Sequence, residues 1–359
     1  MKITKVESRI HRSSFTYGAG ASGVGGNLHL RGMDTLLVRI ETEDGLHGWG
    51  EGFGFNLVDT TQDALDRLLA PACIGQDATG IAGLCRMLAR RFHNFGRNGA
   101  VTFGISGIDI ALWDLAGKRA GKPLHAMLGK AARRRVPAYA SLLRYGVPDD
   151  VARNTTAAVQ LGYRHIKLHE VNLDCIRAAR AAAPMEIPLM LDINCAWDTA
   201  EQAVEFCRAV AGMNVRWVEE PVWPPEDFAA IAAVRAAGGV GIAAGECLGE
   251  PASLGAMMAA GAVDVVQPSV TKIGISGVLA VQALAARYGV AVVPHCPYFG
   301  PGLLASLHLL AAAPVEEPLE VYFADLAAPP YPALIPRRGY VAVPQGPGLG
   351  MALDEVALV

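Results

Sequence analysis

The chain lacks the features that point to a nucleic-acid, membrane or secreted protein. Lysine and arginine form no runs, and the formal net charge of the 359 residues is only −3, so no surface for nucleic acid or an anionic membrane is predicted. The longest Ala-, Met- and Gly-rich stretch, about 252–266, falls short of the roughly 20 residues that a membrane-spanning helix needs. The N-terminus has no apolar segment typical of a signal peptide. We therefore expect neither nucleic acid nor a membrane as a partner.

Cysteine is scarce, and its arrangement indicates the redox state. The seven cysteines are scattered, odd in number and form no CxxC pair, which favours reduced thiols and a cytoplasmic location over a disulfide framework. Charged residues are also few, at 18%, whereas hydrophobic residues make up 52%. The chain can therefore bury a large core, and its length of 359 residues favours two domains over one.

Residues 1–130 predict a small α+β domain. Two extended segments, 36–43 and 46–51, flank the turn Asp44-Gly45 and predict an antiparallel hairpin. Amphipathic patterns that predict helices follow at 60–69, 81–92 and 100–119.

After about residue 130, strand and helix patterns alternate. Eight short apolar segments are predicted strands: 136–140, 165–168, 189–192, 217–220, 241–245, 263–267, 291–294 and 319–321. Eight strands separated by alanine-rich helices favour a β/α barrel over an open doubly wound sheet. No glycine-rich dinucleotide or phosphate loop follows any of them. We therefore predict a barrel domain at 131–324, and we expect the extended tail, 325–359, to return to the first domain.

Three acidic residues each end one of these apolar segments, at equal intervals. Asp192 and Glu219 are 27 residues apart, and Glu219 and Glu246 are again 27 apart. That interval fits one strand, one helix and two loops, so parallel strands would bring the three carboxylates to the same rim of a barrel. Converging oxygen ligands suit a hard divalent cation, Mg²⁺ before any other. A chance spacing is the alternative that the interval alone leaves open.

Several short motifs resemble those of a known family. The sequence carries, in order, Ser106 to Lys118, Asp192-x-Asn194, Val218-Glu-Glu-Pro221, Gly245-Glu246, Gln267-Pro268-x-x-x-Lys272-x-Gly274 and Pro294-His295. This ordered set resembles the enolase superfamily, and more narrowly the mandelate racemase and muconate lactonizing enzyme family. The resemblance implies an α/β fold, a modified (β/α)7β TIM-like barrel with an α+β capping domain. It also implies Mg²⁺ bound by Asp192, Glu219 and Glu246, and we expect a homo-oligomer.

The second predicted barrel strand ends in Lys167-Leu168-His169. Its first and third side chains share one face of the strand and point into the barrel mouth. The family usually has Lys-x-Lys here, and the resemblance assigns Lys167 to the substrate carboxylate and His169 to proton transfer. An imidazole has an unperturbed pKa of about 6.5 and can accept a proton near neutral pH. A hydrogen bond from His169 to substrate or a loop is the alternative.

The resemblance also assigns residues across the mouth. It places His295 on the opposite face of the substrate and makes Glu320 a hydrogen-bond donor to the substrate carboxylate. In mandelate racemase-like members an aspartate supports that histidine, whereas Ser269 stands at the matching position here. A serine brings no charge, so we expect His295 to be a weaker base. This favours dehydration, which needs one base and one acid, over racemisation, which needs two bases.

Five residues are predicted to contact substrate: Asn194, Trp223, Ser269, Lys272 and Tyr298. Bracing of the barrel is an equal alternative for Lys272, and packing against the barrel or a subunit is one for the two aromatic residues. Two segments, 18–26 and 51–56, resemble the family's capping loops. Neither segment carries a lysine or arginine, and the first such residue after 18–26 is Arg31. No cation for a second substrate carboxylate is therefore predicted here, which favours a monoacid substrate over a diacid.

Together these residues predict Mg²⁺-dependent removal of the α-proton of a small carboxylate through an enediolate. The most direct reaction is dehydration of an acid sugar or related hydroxy acid to a 2-keto acid. A racemase, epimerase or cycloisomerase of the same superfamily is one alternative. A ligand-binding barrel without catalysis, suggested by Ser269, is another.

Overall fold

The computed structural model describes residues 1–16, 32–129, 133–332, 334–350 and 353. The segment 18–26, which resembles a capping loop, lies outside these residues. The first strands are β1 (Ile3–Thr16), β2 (Gly32–Thr42) and β3 (His47–Gly52). They form an antiparallel sheet in that order. The predicted hairpin is β2–β3, in which Leu36 lies opposite Gly52.

Helices cover one side of this sheet. They are α1 (Val58–Ala64), α2 (Ala70–Cys73), α3 (Ile81–Arg91), α4 (Ala100–Ala120) and α5 (His125–Leu128). Helix α4 crosses β3 at very short range, since a Cβ atom added to Gly50 would lie 2.0 Å from the carbonyl oxygen of Gly107. Only glycine allows this approach of strand and helix.

The rest of the chain is the predicted barrel. Its elements are β4 (Arg135–Ser141), α6 (Pro148–Gln160), β5 (Ile166–Leu168), α7 (Leu173–Ala182), β6 (Leu189–Asp192), α8 (Ala200–Val210), β7 (Val215–Glu219), α9 (Phe228–Ala237), β8 (Ile242–Ala244), α10 (Pro251–Ala259), β9 (Val265–Val266), α11 (Val270–Tyr288), β10 (Ala291–Val292), α12 (Pro301–Ala312) and β11 (Leu319–Tyr322). All eight predicted strands are present. Strands β4 to β10 are parallel neighbours in chain order, and β11 pairs in parallel with β4. The α/β class and the (β/α)7β order are therefore confirmed.

An apolar layer fills the barrel below the carboxyl ends of its strands. It consists of Tyr139, Met190, Trp217, Ala243, Val265 and Val293. Side chains two residues apart on a strand point the same way. Asp192 and Glu219 therefore stand directly above Met190 and Trp217, on a buried apolar layer.

The tail is divided between the two parts of the chain, unlike the prediction. Strand β12 (Asp325–Leu326) pairs with β1 of the first sheet, whereas β13 (Tyr340–Ala342) pairs antiparallel with barrel strand β4. Further on, the Leu349 amide donates to Asp114 of α4 at 2.8 Å. The alternating sequence of β13 fits the edge of either sheet, so only the packing of Val341 beside Val136 decides between them.

The cysteines and the most apolar helices agree with a buried core. All seven cysteines are free. By length and composition alone, α4 and α11 could cross a membrane, but 72% and 44% of their apolar windows are buried in the protein. Core helices of soluble proteins share these properties, so both helices are weak evidence for a membrane span.

A buried histidine pair joins α5 to α12. The Nδ1 atoms of His125 and His308 lie 3.0 Å apart, and the rings stack with centroids 5.2 Å apart. The Nε2 atom of His308 lies 3.0 Å from the carbonyl oxygen of Leu349. That oxygen only accepts, so Nε2 carries the proton of the neutral ring and Nδ1 accepts. Burial lowers the pKa of both histidines, that of His308 to about 4.

Acid should therefore destabilise the fold through His308. An unfolded histidine has a pKa of about 6.5, so the unfolded chain binds more protons than the folded chain between that value and about 4. The free energy of unfolding has its full value above about pH 6.5. It decreases as the pH falls towards 4, by about 3 kcal/mol in all. His308→Gln keeps an amide near the Nε2 position and does not titrate. Denaturant titrations across this range should show a shallower pH dependence for the variant, and equal slopes would contradict the prediction.

Candidate active site

The carboxylates of Asp192, Glu219 and Glu246 converge at the barrel mouth, as their spacing predicts. Each residue offers one oxygen, and these oxygens all lie within 4.8 Å of one another. Asp192 and Glu219 end neighbouring strands β6 and β7, where they are register partners, and both are fully buried. A set of buried carboxylate oxygens at this range fits a hard divalent cation such as Mg²⁺.

Glu246 reaches the cluster by a different route from the other two. Strand β8 ends at Ala244, and the alternation from buried Ala243 would point residue 245 into the barrel. Gly245 instead adopts φ +132°, and a Cβ atom there would lie 2.8 Å from Leu254 Cδ2. The glycine therefore permits the turn that carries Glu246 inward, so the equal spacing reflects two different backbone geometries.

Lys167 lies beneath the cluster and is completely buried. Its Nζ atom lies 3.0 Å from Asp192, 3.3 Å from Glu219 and 2.8 Å from Glu320. Burial lowers the pKa of Lys167, but the three carboxylates outweigh it and raise the pKa well above its ordinary value. One lysine cannot balance this many carboxylates, which leaves an excess negative charge for a bound cation.

The cluster carboxylates differ in their proton affinity. Burial raises the pKa of each. For Asp192 the neighbouring Lys167 and His169 reverse this and hold its pKa well below the ordinary range, and for Glu246 the neighbouring His295 brings the pKa to about 2. The pKa of Glu219 is raised well above its ordinary value by burial, reinforced by Asp192. Without a cation, three adjacent carboxylates are difficult to keep ionised together.

Glu320 lies on β11 beside Lys167. Its Oε2 atom accepts a hydrogen bond from the backbone amide of Cys296 at 2.7 Å. Burial raises the pKa of Glu320, but Lys167, His295 and the Cys296 amide together lower it overall. Glu320 thus accepts hydrogen bonds in this structure, and its role as a donor to the substrate stays a prediction.

His169 lies on one side of the cluster. Its Nδ1 atom lies 2.5 Å from the carbonyl oxygen of Leu142, and its Nε2 atom lies 3.3 Å from Asp192 Oδ2. Because a carbonyl oxygen only accepts, Nδ1 carries a proton. The lone pair of the neutral ring is then on Nε2, which faces the cluster.

His295 lies on the opposite side of the cluster. Its Nε2 atom lies 2.9 Å from Glu246 Oε2. Its Nδ1 atom lies 3.4 Å from Ser269 Oγ and 3.4 Å from the Tyr298 hydroxyl oxygen, and the two hydroxyls contact each other. Ser269 therefore stands where the sequence places it. Tyr298 is only 4% exposed and lies beside His295, which fits the alternative of packing, and its predicted contact with substrate stays a prediction.

Asn194 supports Asp192 and links it to a residue that the sequence analysis missed. With φ +47°, its Nδ2 atom donates to Asp192 Oδ1 at 2.7 Å. Its Oδ1 atom accepts from Arg144 Nη2 at 3.1 Å, and Arg144 also donates to the backbone oxygen of His169. Within the described ranges Arg144 has no carboxylate partner. The position of Arg144, three residues after the end of the first barrel strand, is the sequence signal that marks it as a residue of the mouth.

Lys272 and Trp223 occupy two other edges of the mouth. The Nζ atom of Lys272 donates to the backbone oxygen of Glu246 at 2.6 Å and lies 4.5 Å from the centre of the Phe53 ring. Lys272 thus braces the turn that carries Glu246. Trp223 follows β7 and is 61% exposed. Contact with substrate stays a prediction for both.

The predicted capping segment at 51–56 lies against the His295 side of the barrel. The Phe53 amide donates to the Thr271 carbonyl oxygen at 3.1 Å, and the Phe53 and Tyr298 rings meet edge to face at 6.4 Å. Glu51 is buried and accepts from the Gly302 amide at 2.8 Å. Burial raises the pKa of Glu51 to about 8.

A second set of donors adjoins the cluster and shares one residue with it. Glu220, Glu246 and Cys247 also bring their donor atoms within 4.8 Å of one another. Burial, with Glu246 and Asp192, raises the pKa of Glu220 to about 8. A thiol suits softer metals than Mg²⁺, so the set with three carboxylates is the better Mg²⁺ site.

The two parts of the chain match known protein families. Residues 30–129 match the mandelate racemase / muconate lactonizing enzyme N-terminal domain, and residues 150–357 match a domain described as enolase C-terminal domain-like. The chain is 31% identical to the D-galactarolactone cycloisomerase of Agrobacterium fabrum, over 100% of this chain and 98% of that protein. It is 32% identical to the L-talarate/galactarate dehydratase of Salmonella typhimurium, over 90% and 81%. A racemase from Streptomyces coelicolor solved with bound magnesium superposes with a TM-score of 0.88 at 28% identity, over 99% and 98%.

Proposed function

The chain belongs to the mandelate racemase / muconate lactonizing enzyme family of the enolase superfamily, and from this premise we propose that it dehydrates an acid sugar to a 2-keto acid. It is an Mg²⁺-dependent enzyme of that superfamily. The observation that carries the proposed reaction is the pair His169 and His295. Their Nε2 atoms lie 3.3 Å from Asp192 and 2.9 Å from Glu246, on opposite sides of the carboxylates.

The side chains of the mouth can be assigned separate tasks. Bound Mg²⁺ supplies positive charge that stabilises the negative charge developing on the substrate carboxylate. Lys167 places a fixed cation beside the same group. His169 takes the α-proton at Nε2, because its Nδ1 proton is held by the Leu142 carbonyl oxygen. His295 gives a proton to the β-hydroxyl as its C–O bond breaks, water leaves, and the resulting enol becomes the 2-keto acid.

The surroundings of His295 favour dehydration, with His169 as the base and His295 as the acid, over racemisation. The groups on its Nδ1 atom are the neutral hydroxyls of Ser269 and Tyr298. A pair of equally strong bases, which racemisation needs, is therefore not supported. A cycloisomerase is the second candidate, because the chain matches the A. fabrum cycloisomerase along its whole length. If the leaving oxygen belongs to a ring, the same proton transfers open the ring and release no water.

A substrate screen in D₂O tests the proposed reaction. Acid sugars and their lactones are incubated with the enzyme and Mg²⁺, and 2-keto acid formation and deuterium incorporation are followed by NMR. A deuterated 2-keto-3-deoxy acid from a linear acid supports dehydration, and the same product from a lactone alone supports the cycloisomerase. Deuterium at the α-carbon without keto acid would identify a racemase or epimerase. No exchange with any compound would favour the ligand-binding barrel.

Arg144 adds an expectation about the substrate. Its guanidinium lies at the mouth and, among the described residues, bonds only to the neutral oxygens of His169 and Asn194. A distal carboxylate would supply the missing counter-charge. Arg144 therefore favours a diacid, in contrast to the monoacid that the capping loops suggest.

Removing this cation should change substrate preference. In Arg144→Gln the kcat/KM for a diacid such as galactarate should fall about 10- to 100-fold, as expected for the loss of a charged hydrogen bond. The kcat/KM for the matching monoacid should fall much less. Arg177→Gln, which disrupts the surface pair with Asp174 on α7, is the control. An unchanged ratio between diacid and monoacid would remove Arg144 from substrate recognition.

A further inference from the structure

Two hydroxyl groups meet at the rear of His295. Ser269 Oγ and the Tyr298 hydroxyl oxygen are in hydrogen-bonding contact with each other. Each lies 3.4 Å from His295 Nδ1. Both side chains are buried, at 0% and 4% exposure. Water therefore has little access to this nitrogen, and the two hydroxyls determine its hydrogen bonding.

These hydroxyls differ chemically from a carboxylate partner. A carboxylate only accepts, and so it holds a proton on Nδ1 at all times. A hydroxyl can both donate and accept. The Ser269–Tyr298 pair can therefore accept from Nδ1 when that nitrogen is protonated and donate to it when it is not. The ring can keep one orientation through a proton transfer at Nε2, without a buried negative charge behind it.

Tyr298 is the more rigid member of this pair. Its ring meets the His295 ring edge to face, with centroids 5.9 Å apart and an interplanar angle of 90°. On another side it packs against Phe53 of the capping segment. A serine hydroxyl turns freely about one bond, whereas a packed phenol has a fixed oxygen position. Tyr298 thus fixes where the hydrogen-bonding oxygens lie.

We propose that Tyr298 is a positioning residue for His295. With Ser269 it holds the imidazole so that Nε2 faces the carboxylate cluster, and it does so without touching substrate. Its packing against Phe53 makes this alignment depend on the capping segment. The inference rests on the proposed function only in that His295 moves a proton.

Tyr298→Phe tests this role because it removes one oxygen and keeps the packed ring. We expect kcat to fall about 3- to 10-fold with KM unchanged, as for the loss of one neutral hydrogen bond that acts on the reacting state. Ser269→Ala should act similarly, and the double variant should lose less than the product of the two single losses. Tyr163→Phe removes a hydroxyl from a buried ring that packs on Phe323, and it should leave kcat unchanged.

A spectroscopic measurement separates this proposal from the proposed function. In protein with ¹⁵N-labelled histidine and bound Mg²⁺, the ring-nitrogen signals of His295 should change in both Tyr298→Phe and Ser269→Ala. They should not change in Tyr163→Phe. Unchanged His295 signals in either variant, or a lowered melting temperature with normal kcat per folded molecule, would overturn the positioning role. The NMR result stands even if no substrate is found, so failure of the proposed reaction is distinguishable.

Discussion

Replacing Glu219 with glutamine should abolish Mg²⁺-dependent turnover while leaving the fold intact. Glu219 is fully buried, and one of its oxygens lies within 4.8 Å of those of Asp192 and Glu246. Glutamine keeps the size of the side chain but removes a full negative charge from the proposed cation site. An amide oxygen is a weaker ligand for a hard cation than a carboxylate. Activity should fall to the background of the assay.

The stability of this variant can be anticipated from the contacts of Glu219. Its Oε2 atom accepts from Trp217 Nε1 at 3.1 Å, and its Oε1 atom accepts from Lys167 at 3.3 Å. In glutamine an NH₂ group replaces one of these oxygens and faces a donor. The cost should be about 1–3 kcal/mol, which a large barrel core tolerates.

Thermal unfolding with and without Mg²⁺ provides the measurement. Mg²⁺ should raise the melting temperature of the wild-type protein by binding the folded state, and it should leave that of Glu219→Gln nearly unchanged. Glu317→Gln is a matched control, because Glu317 pairs with Arg216 outside the cluster. Metal-dependent turnover that survives in Glu219→Gln would exclude Glu219 from the site.

His169→Asn should lower kcat by about 10²–10⁴-fold, the usual effect of removing a general base. The amide nitrogen of asparagine can occupy the place of Nδ1 and keep the hydrogen bond to the Leu142 carbonyl oxygen. Nothing then occupies the place of Nε2, which faces Asp192 in the native protein. The substitution therefore removes the proposed base and preserves its anchor.

A second variant, His169→Gln, distinguishes a catalytic role of His169 from a structural one. Glutamine can place an amide near the Nε2 position but loses the anchor to Leu142. If His169 is the base, both variants lose kcat and α-proton exchange in D₂O. If His169 only braces the loop after β4, the asparagine variant keeps its activity per folded molecule and the glutamine variant loses stability.

The sequence was sufficient for the strands and for Asp192 and Glu219 because these follow simple periodicities. Strand alternation places Asp192 and Glu219 above the apolar layer, and regular β/α units bring successive strand ends to one rim. Lys167 and His169 share a face for the same reason. These features depend on neighbours along the chain, so local pattern is informative.

The remaining features depend on contacts between distant segments. The direction of Tyr298, three residues after His295, is set by its packing against Phe53 from the first domain. The contact between Arg144 and Asn194 joins the segments that follow β4 and β6. Strand β13 could join either sheet by its alternation alone. No periodicity in a single sequence encodes such long-range choices.

The contact between the hydroxyls of Ser269 and Tyr298 also constrains how this part of the site can evolve. An aspartate at position 269 alone would place a carboxylate beside both the Tyr298 hydroxyl and His295. This carboxylate would accept hydrogen bonds from the phenol as well as from the imidazole. Loss of the phenol oxygen alone would leave Ser269 as the single support of the ring. The effect of a change at either position therefore depends on the residue at the other, and the two positions are epistatic. The outcome of replacing Ser269 with an aspartate is therefore expected to depend on whether the phenol oxygen of Tyr298 is present.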